Sequence, residues 1–584
     1  MCGIIGYVGE RQAAPILLEG LKKLEYRGYD SAGLLTMGSG FHLQKDKGKI
    51  EQIDFELDGL PGSIGIAHTR WATHGSVTKD NAHPHISNNG EIAVVHNGII
   101  ENYQKLKRFL EERGFSFYSQ TDTEIIANLI EYFNRENDFL KSVKLALDRL
   151  EGSYALAILN KKERKIIAVR KESPLVLGVG NNEYFIASDI PAFLEHTKNV
   201  IYLYENDLAV LSDKIEIYDS NLNKIQRPID TVEWNAEQAK KGDFEHFMLK
   251  EISEQADVIN RAINQDKQII MDIVDAINDA HGIYFVGCGT AYHACLTGSY
   301  MFSKIAGLHV NVCLGSEFPN YEHFLKPETL VIAISQSGET ADILNSIRVA
   351  KARKCKVMSI VNVMGSSLVR ESDKSLLQHA GPEICVLSTK SYTSQLAILV
   401  LLAYALEGRY EEAKAKLKDL INYIYHLTSA NTRNHIKQLA EKLKDAEHIY
   451  LIGRGMQYPT AVEAALKIKE VSYIHAEGFA GGELKHGTIA LIEKGTPCIV
   501  FTSNEKEKEI ISNAMELKAR GAYLIGIGPR NNEIFDFFIK VREAEEANSI
   551  CQIIPIQILA YQLAVLRGCD PDRPRNLAKS VTVK

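Results

Sequence analysis

Ile283-Tyr284-Phe285-Val286-Gly287-Cys288-Gly289 decides the architecture of most of this chain, because the pattern returns as Ile449-Tyr450-Leu451-Ile452-Gly453-Arg454-Gly455. Each is a short apolar run closed by a Gly-x-Gly turn and followed by a helical stretch. A second pair, Leu330 to Ser335 (LVIAIS) and Pro497 to Thr502 (PCIVFT), lies at the same displacement of about 166 residues. Two agreeing offsets predict a duplicated α/β domain. Near-continuous apolar strands alternating with helices predict parallel sheets covered on both faces. Such sheets take ligands beyond the carboxyl ends of their strands, where these Gly-rich turns sit.

Upstream of the duplication the rhythm is different. From Ile4 to about Ser212 short alternating strands dominate: Ile64 to Ala67, Ile92 to Val95, Tyr154 to Ile158 and Tyr184 to Ala187. Helical periodicity is read over Tyr103 to Arg113 and Thr123 to Arg135. Strands with segregated helices predict an α+β layered domain. Periodicity fades around Pro228 to Asp243 (RPIDTVEWNAEQAKKGD), which reads as a linker. The expected division is 2–230, a linker over 231–245, a first α/β domain over 246–425, a second over 426–570, and a tail over 571–584.

A chain of 584 residues exceeds what one core organises. The net charge of −7, without a basic block, gives no support for nucleic-acid binding. Nine cysteines without CxxC spacing suggest neither a disulfide framework nor a zinc site, and reduced thiols fit a cytoplasmic protein. The longest apolar runs, Leu396 to Ala403 and the Gln-interrupted Ile553 to Leu566, read as too short to span a bilayer. No membrane association is expected.

Met1-Cys2-Gly3 carries the first chemistry. Removal of Met1 would leave Cys2 with a thiol and a free α-amine on one residue, a nucleophile with its own general base. The alternative is a Cys buried in a first strand. His68-Thr69-Arg70-Trp71-Ala72-Thr73-His74-Gly75 and His96-Asn97-Gly98 each follow a strand. Asn97 and the Gly98 N–H suit an oxyanion, Arg70 suits a carboxylate, and Asp122 suits an ammonium. Each also has a plain reading: a turn dipeptide, a surface ion pair and a helix cap.

The duplicated part carries the second chemistry. Ser335-Gln336-Ser337-Gly338-Glu339-Thr340 joins a strand to a helix and offers hydroxyls and backbone N–H groups to a phosphate, or else merely caps the helix. Thr290 and Ser388 lie in neighbouring turns. No GxxxxGK[ST] is present, and Gly287-x-Gly289 lacks a suitable third glycine, so neither a nucleoside triphosphate nor a dinucleotide is expected. Glu463, Lys467 and Glu470 share one helix face, which also suits a solvated salt-bridge stripe. His486 sits in a polar loop, and Lys579 in an extended tail.

The N-terminal segments, with Glu25-Tyr26-Arg27-Gly28-Tyr29-Asp30-Ser31-Ala32-Gly33, resemble the class II glutamine amidotransferase (N-terminal-nucleophile glutaminase) domain. That resemblance implies a layered α/β/β/α fold, Cys2 as nucleophile, and Asn97 and Gly98 as oxyanion hole. It implies further that Arg70 and Asp122 clamp glutamine, that Thr73, His74 and Gly75 line its pocket, and that Trp71 gates ammonia. The duplicated segments resemble tandem sugar-isomerase (SIS) domains, and the whole chain is similar to isomerizing, glutamine-dependent aminotransferases of phosphosugars. This implies that L-glutamine and fructose 6-phosphate become L-glutamate and glucosamine 6-phosphate, with no metal or cofactor. Thr290, Ser335, Gln336, Ser337, Thr340 and Ser388 would then hold the phosphosugar and Lys579 would form a Schiff base with the ketose. Glu470 would move a proton between C1 and C2, assisted by Glu463 and Lys467. His486 would open the ring from the neighbouring subunit of a homodimer. Ala291, where relatives often carry Ser, and Thr488, where Pro is common, depart from the pattern. The alternatives are an amidotransferase or deglycase for another ketose phosphate, or a non-catalytic phosphosugar sensor; Cys2, Glu470, His486 and Lys579 together argue against both.

Overall fold

Alternating strands have two apolar faces to bury only when a second sheet covers one of them, and the N-terminal part is built that way. The computed structural model describes every residue except Met1, Thr73, Asn235, Val583 and Lys584. The chain divides into two units, Met1–Lys240 together with Ala578–Lys584, and Lys241–Leu577.

In the first unit an eight-stranded sheet runs Asp230–Thr231, Asn199–Tyr202, Val176–Val179, Tyr184–Ala187, Gly3–Val8, Ile64–Arg70, Ser31–Met37, Phe41–Lys47. A seven-stranded sheet has Gly152–Asn160 and Ile92–Ile100 near its His85–Ile86 edge. All the pairings are antiparallel. Successive side chains take opposite faces. Ile5 joins Leu17 and Leu21 under the helix Ala13–Leu24, whereas Ile4 joins Ile66, Val95 and Ala157 between the sheets. On the far side Val94 packs with Ile126 and Val143 of the helices Thr123–Asn134 and Phe139–Leu147. The result is the expected α/β/β/α layering.

Two of these helices, Ala13–Leu24 and Phe139–Leu147, escape the sequence reading. The first has no side-chain cap and carries Pro15 and Gly20. Pro15 is tolerated in the first turn, and Gly20 lets Ile5 approach so closely that an added Cβ would lie 2.0 Å from its Cδ1.

The second unit contains two five-stranded parallel sheets of identical order. One runs Asn311–Leu314, Gly282–Gly287, Thr329–Ser335, Lys356–Val361, Lys374–Leu377; the other His475–Ala480, His448–Gly453, Pro497–Phe501, Tyr523–Gly528, Phe537–Lys540. The order 2-1-3-4-5 opens a crevice between the first and third strands, where connections leave in opposite directions. Gly287 and Gly453 occupy equivalent places there. A Cβ on either would lie within 2.6 Å of the backbone of the helix that follows.

One hydrophobic core serves both copies, with Leu396 and Leu399 meeting Ile553, Ile556 and Leu559. The apolar run read as too short to span a bilayer belongs to a longer helical segment, Glu545–Leu566. By length and composition that segment would suffice, but 83% of its apolar window is buried. Gln552 donates to the Thr502 carbonyl at 2.7 Å, and Gln557 accepts from Gln255 at 2.8 Å. It is therefore a core helix, with its polar positions bonded inside the protein. At the unit's ends, the Asp572 carboxylate accepts from the N–H groups of Phe247 (2.8 Å) and Met248 (2.7 Å).

Candidate active sites

Cys2 immediately precedes the first strand, Gly3–Val8, and sits at the edge of a dense polar cluster. The Trp71 N–H donates to Cys2 Sγ at 3.2 Å. The Cys2 carbonyl accepts from Asn97 Nδ2 at 2.9 Å and from Arg27 Nε at 3.2 Å. Burial pushes the Cys2 thiol up, and Arg70 and Arg27 oppose that.

His96-Asn97-Gly98 does not follow its strand but lies inside Ile92–Ile100, opposite Leu156, Ala155 and Tyr154. Likewise His68, Thr69 and Arg70 end the strand Ile64–Arg70, and only Trp71 onward is loop. The turn reading of Asn97-Gly98 fails because Gly98 uses its freedom within the ladder. Its φ is +129°, and an added Cβ would lie 2.0 Å from the Ser153 carbonyl oxygen.

Arg70 is buried and donates to the carbonyls of His74, Gly75 (3.4 Å) and Ser76 (3.3 Å), shaping the loop that follows it. It is no surface ion pair. Burial lowers its pKa, while Cys2, Asp30 and Asp122 counteract. Asp122 occupies the N-cap position without capping; its Oδ2 accepts from the Ile100 N–H at 2.8 Å, tying it to the strand that carries Asn97. His74 packs edge-on against Tyr103, and Trp71 against Tyr29. Gly75 is exposed; Thr73 lies outside the described residues.

Sequence reasoning assigned no role to the histidines beneath this cluster. His68 Nε2 lies 3.1 Å from Asn97 Oδ1 and 3.0 Å from the His96 carbonyl oxygen. Both partners are acceptors, so Nε2 carries the proton and holds the Asn97 amide with its NH2 toward Cys2. The Thr123 hydroxyl sits between His83 Nε2 (2.8 Å) and His96 Nδ1 (2.9 Å), and the His68 and His83 rings are 4.2 Å apart. Burial lowers the pKa of His68 to about 3 and, with neighbouring positive charge, depresses those of His83 and His85. It also depresses that of His96, against the pull of Asp122. The HTR and HPH spacings were visible in sequence, but nothing local showed that the three segments converge.

In the second unit, Thr290 opens the helix Thr290–Ala306 behind Gly289. Ser335 ends its strand, and Thr340 stands at the N-cap of Ala341–Ala352. The Gly338 N–H donates to Ser335 Oγ (3.0 Å) and the Glu339 N–H to Ser337 Oγ (3.2 Å), while Gln336 is half-buried on the same turn. Glu339 is turned away, accepting from the Ser367 N–H (2.8 Å) and hydroxyl (2.7 Å). The turn therefore presents its hydroxyls and Gln336 with the Glu339 carboxylate already engaged.

The helix Gln457–Ser472 of the second copy reaches the Thr290 and Ser388 turns of the first. Lys467, wholly buried, donates to Thr290 Oγ1 at 3.0 Å and to the Ser388 carbonyl at 3.4 Å. It also pairs with Glu470 at 2.7 Å and with the wholly buried Glu463 at 3.5 Å. Burial works against its charge, yet the two carboxylates outweigh this and hold the ammonium above its ordinary range. Glu463 meets His293 Nδ1 at 2.7 Å as well, a partner sequence reasoning missed. A solvated stripe is thus ruled out. Glu470 keeps 21% of its side chain exposed and is the trio's open member. His486 is exposed, and Lys579 is half-buried in the segment that groups with the first unit.

Residues 68–195 match the glutamine amidotransferase domain family, and residues 276–405 and 442–567 each match the SIS domain. Two relatives named glutamine–fructose-6-phosphate aminotransferase [isomerizing] align over the whole of both chains. That of Caldanaerobacter subterraneus subsp. tengcongensis is 44% identical, and that of Pyrococcus horikoshii is 46% identical. The C-terminal domain of glucosamine-fructose-6-phosphate aminotransferase from Francisella tularensis is 35% identical at a TM-score of 0.53, covering 57% of this chain and 99% of that one.

Proposed function

This chain belongs to the glutamine–fructose-6-phosphate aminotransferase (isomerizing) family, and from that premise we propose how its residues divide the reaction. The enzyme transfers the amide nitrogen of L-glutamine to fructose 6-phosphate, giving L-glutamate and glucosamine 6-phosphate. Cys2 Sγ, freed at its amine by loss of Met1, attacks the amide carbon while the α-amine takes the thiol proton and passes it to the leaving nitrogen. Asn97 Nδ2 and the Gly98 N–H receive the developing oxyanion. Arg70 and Asp122 hold the substrate's carboxylate and ammonium, with Thr73, His74 and Gly75 around them. Water then hydrolyses the thioester, and ammonia leaves past Trp71.

At the sugar, the 335–340 turn with Thr290 and Ser388 binds phosphate. His486 of the partner subunit in a homodimer opens the ring. Lys579 condenses with the C2 ketone, losing water, and ammonia displaces it. The Glu470 carboxylate takes a proton from C1 and returns it to C2, while the O1 hydroxyl proton passes to the imine nitrogen, converting the ketose imine into the aldose amine. The single observation that supports this most is the Lys467 bridge: an ammonium fully buried against Thr290 and the Ser388 carbonyl holds Glu470 at 2.7 Å. We keep the division at 2–230, 231–245, 246–425, 426–570 and 571–584 as part of this proposal, and a cytoplasmic location suits these substrates. The test is glutamate and hexosamine phosphate quantified in one sample from glutamine and fructose 6-phosphate. Equal yields are expected; glutamate without hexosamine would reject the acceptor.

A further inference from the structure

The duplication leaves a second crevice, and the structure assigns it a ligand of its own: we propose that it binds a phosphorylated amino sugar without converting it. The first crevice lies between the Thr290 turn and the 335–340 turn and is closed by a helix from the other copy. In the second copy the equivalent place lies between the Gly455 turn and the turn over 503–506, and the helix Thr290–Ala306 closes it. A cavity of about 370 Å³ occupies that place, lined by Tyr300, Ser303, Lys304, Gly455, Gln457 and Glu505, among others. Pockets of this size hold small organic ligands.

Counting from the paired Gly289 and Gly455 shows what became of the machinery. Lys304 stands where the other copy has Glu470, Met301 where it has Lys467, and Thr297 where it has Glu463. The carboxylate that would move a proton is replaced by an ammonium, so binding here leads to no isomerisation. The turn has changed as well. Ser335-Gln336-Ser337-Gly338 is matched by Thr502-Ser503-Asn504-Glu505, so a charge enters where the first copy had none.

Both signs of charge meet at this crevice. Lys304 pairs with Glu505 at 2.6 Å and with Glu546 at 3.5 Å, and Lys506 lies beside them, 3.6 Å from Glu509. The Asn504 N–H donates to the Glu543 carboxylate at 2.7 Å, so a further acidic group holds the backbone of this turn. A purely anionic sugar phosphate would face Glu505 unpaired. A ligand bearing both an ammonium and a phosphate divides the Lys304–Glu505 pair, its cation taking Glu505 and its anion taking Lys304 and Lys506. That the rest of the ligand is a sugar rests on the reading of the first crevice as a phosphosugar site.

Calorimetric titration of the full chain with glucosamine 6-phosphate, without glutamine, tests this. Two sites per chain are expected. Ser335→Ala/Ser337→Ala should retain one. Lys304→Gln/Lys506→Gln should weaken the other by roughly tenfold or more, since charge-assisted contacts are lost, with turnover at low product unchanged. Ser303→Trp, which fills the crevice, should do the same without disturbing the ion pairs. Fructose 6-phosphate should bind the second crevice at least about tenfold more weakly than the amino sugar. A single site that vanishes with Ser335→Ala/Ser337→Ala would overturn the proposal. So would equal binding of fructose 6-phosphate or of glutamate at the second crevice, or a second site indifferent to both crevice variants. Absent turnover with two sites still present would instead reject the proposed reaction alone.

Discussion

Lowering the pH from 6 to 5 should unfold the first unit steeply, and the buried histidines set the slope. His68, His83, His85 and His96 are each at most 4% exposed, and burial depresses all four. In the unfolded chain each titrates near pH 6.5. Their folded pKa values lie below that, so below about pH 6.5 the unfolded state binds more protons and stability falls as pH falls. Each proton contributes about 1.4 kcal/mol per pH unit, so His68, His83 and His85, the three driven well below their ordinary value, give roughly 4 kcal/mol per unit, and His96 adds to this in the same direction. Half-buried His196 is depressed in the same direction and adds to the loss. The assay is built into the sequence, because the two tryptophans, Trp71 and Trp234, both belong to the first unit. Their fluorescence in urea at pH 7, 6, 5.5 and 5 follows this unit in the intact chain. A slope of about one proton or less between pH 6 and 5 would refute the reasoning, since those rings would then titrate alike folded and unfolded. His83→Gln should reduce the slope by about one proton.

Three more outcomes are expected. Cys2→Ala should abolish glutamine-dependent hexosamine formation yet spare ketose–aldose isomerisation of the phosphosugar; loss of both in a folded variant would contradict two separate sites. His68→Leu should lower glutaminase kcat by roughly ten- to a hundredfold, less than outright loss of an oxyanion donor, with KM for glutamine little changed. His68→Gln, able to donate to Asn97 Oδ1, should recover most of that, and equal losses in both variants would mean the ring serves packing alone. Lys467→Met leaves the buried Glu463 with His293 alone and removes its ammonium partner, and should destabilise the second unit by about 3–5 kcal/mol at pH 8, read by thermal melting in far-ultraviolet circular dichroism.

Local pattern revealed what local physics controls. The Gly-x-Gly turns were legible because a parallel strand feeding a helix at close quarters leaves no room for a Cβ, and Gly287 and Gly453 announce it. The strand Tyr184–Ala187 and the helix Thr123–Asn134 were read almost to the residue from alternation and helical periodicity. Asn97-Gly98 was placed after its strand because the dipeptide is a good turn in isolation, and only pairing with Tyr154 and Ala155 shows it inside a ladder. Glu463 and Lys467 looked equally suited to a wet surface; what buries them is a helix face meeting Thr290 and His293 from a segment about 170 residues away. The support of Asn97 by His68 was invisible for the same reason. Contacts of long sequence separation leave no periodicity to read.

The Asp572 clasp has an architectural consequence. By binding the N–H groups of Phe247 and Met248, it draws the strand of chain leaving the second unit beside the strand entering it. A body whose entry and exit coincide behaves as a cassette: it can be lifted out, circularly permuted or grafted into another host at a single locus. Both crevices of the duplicated sheets would travel with it, leaving Lys579 behind.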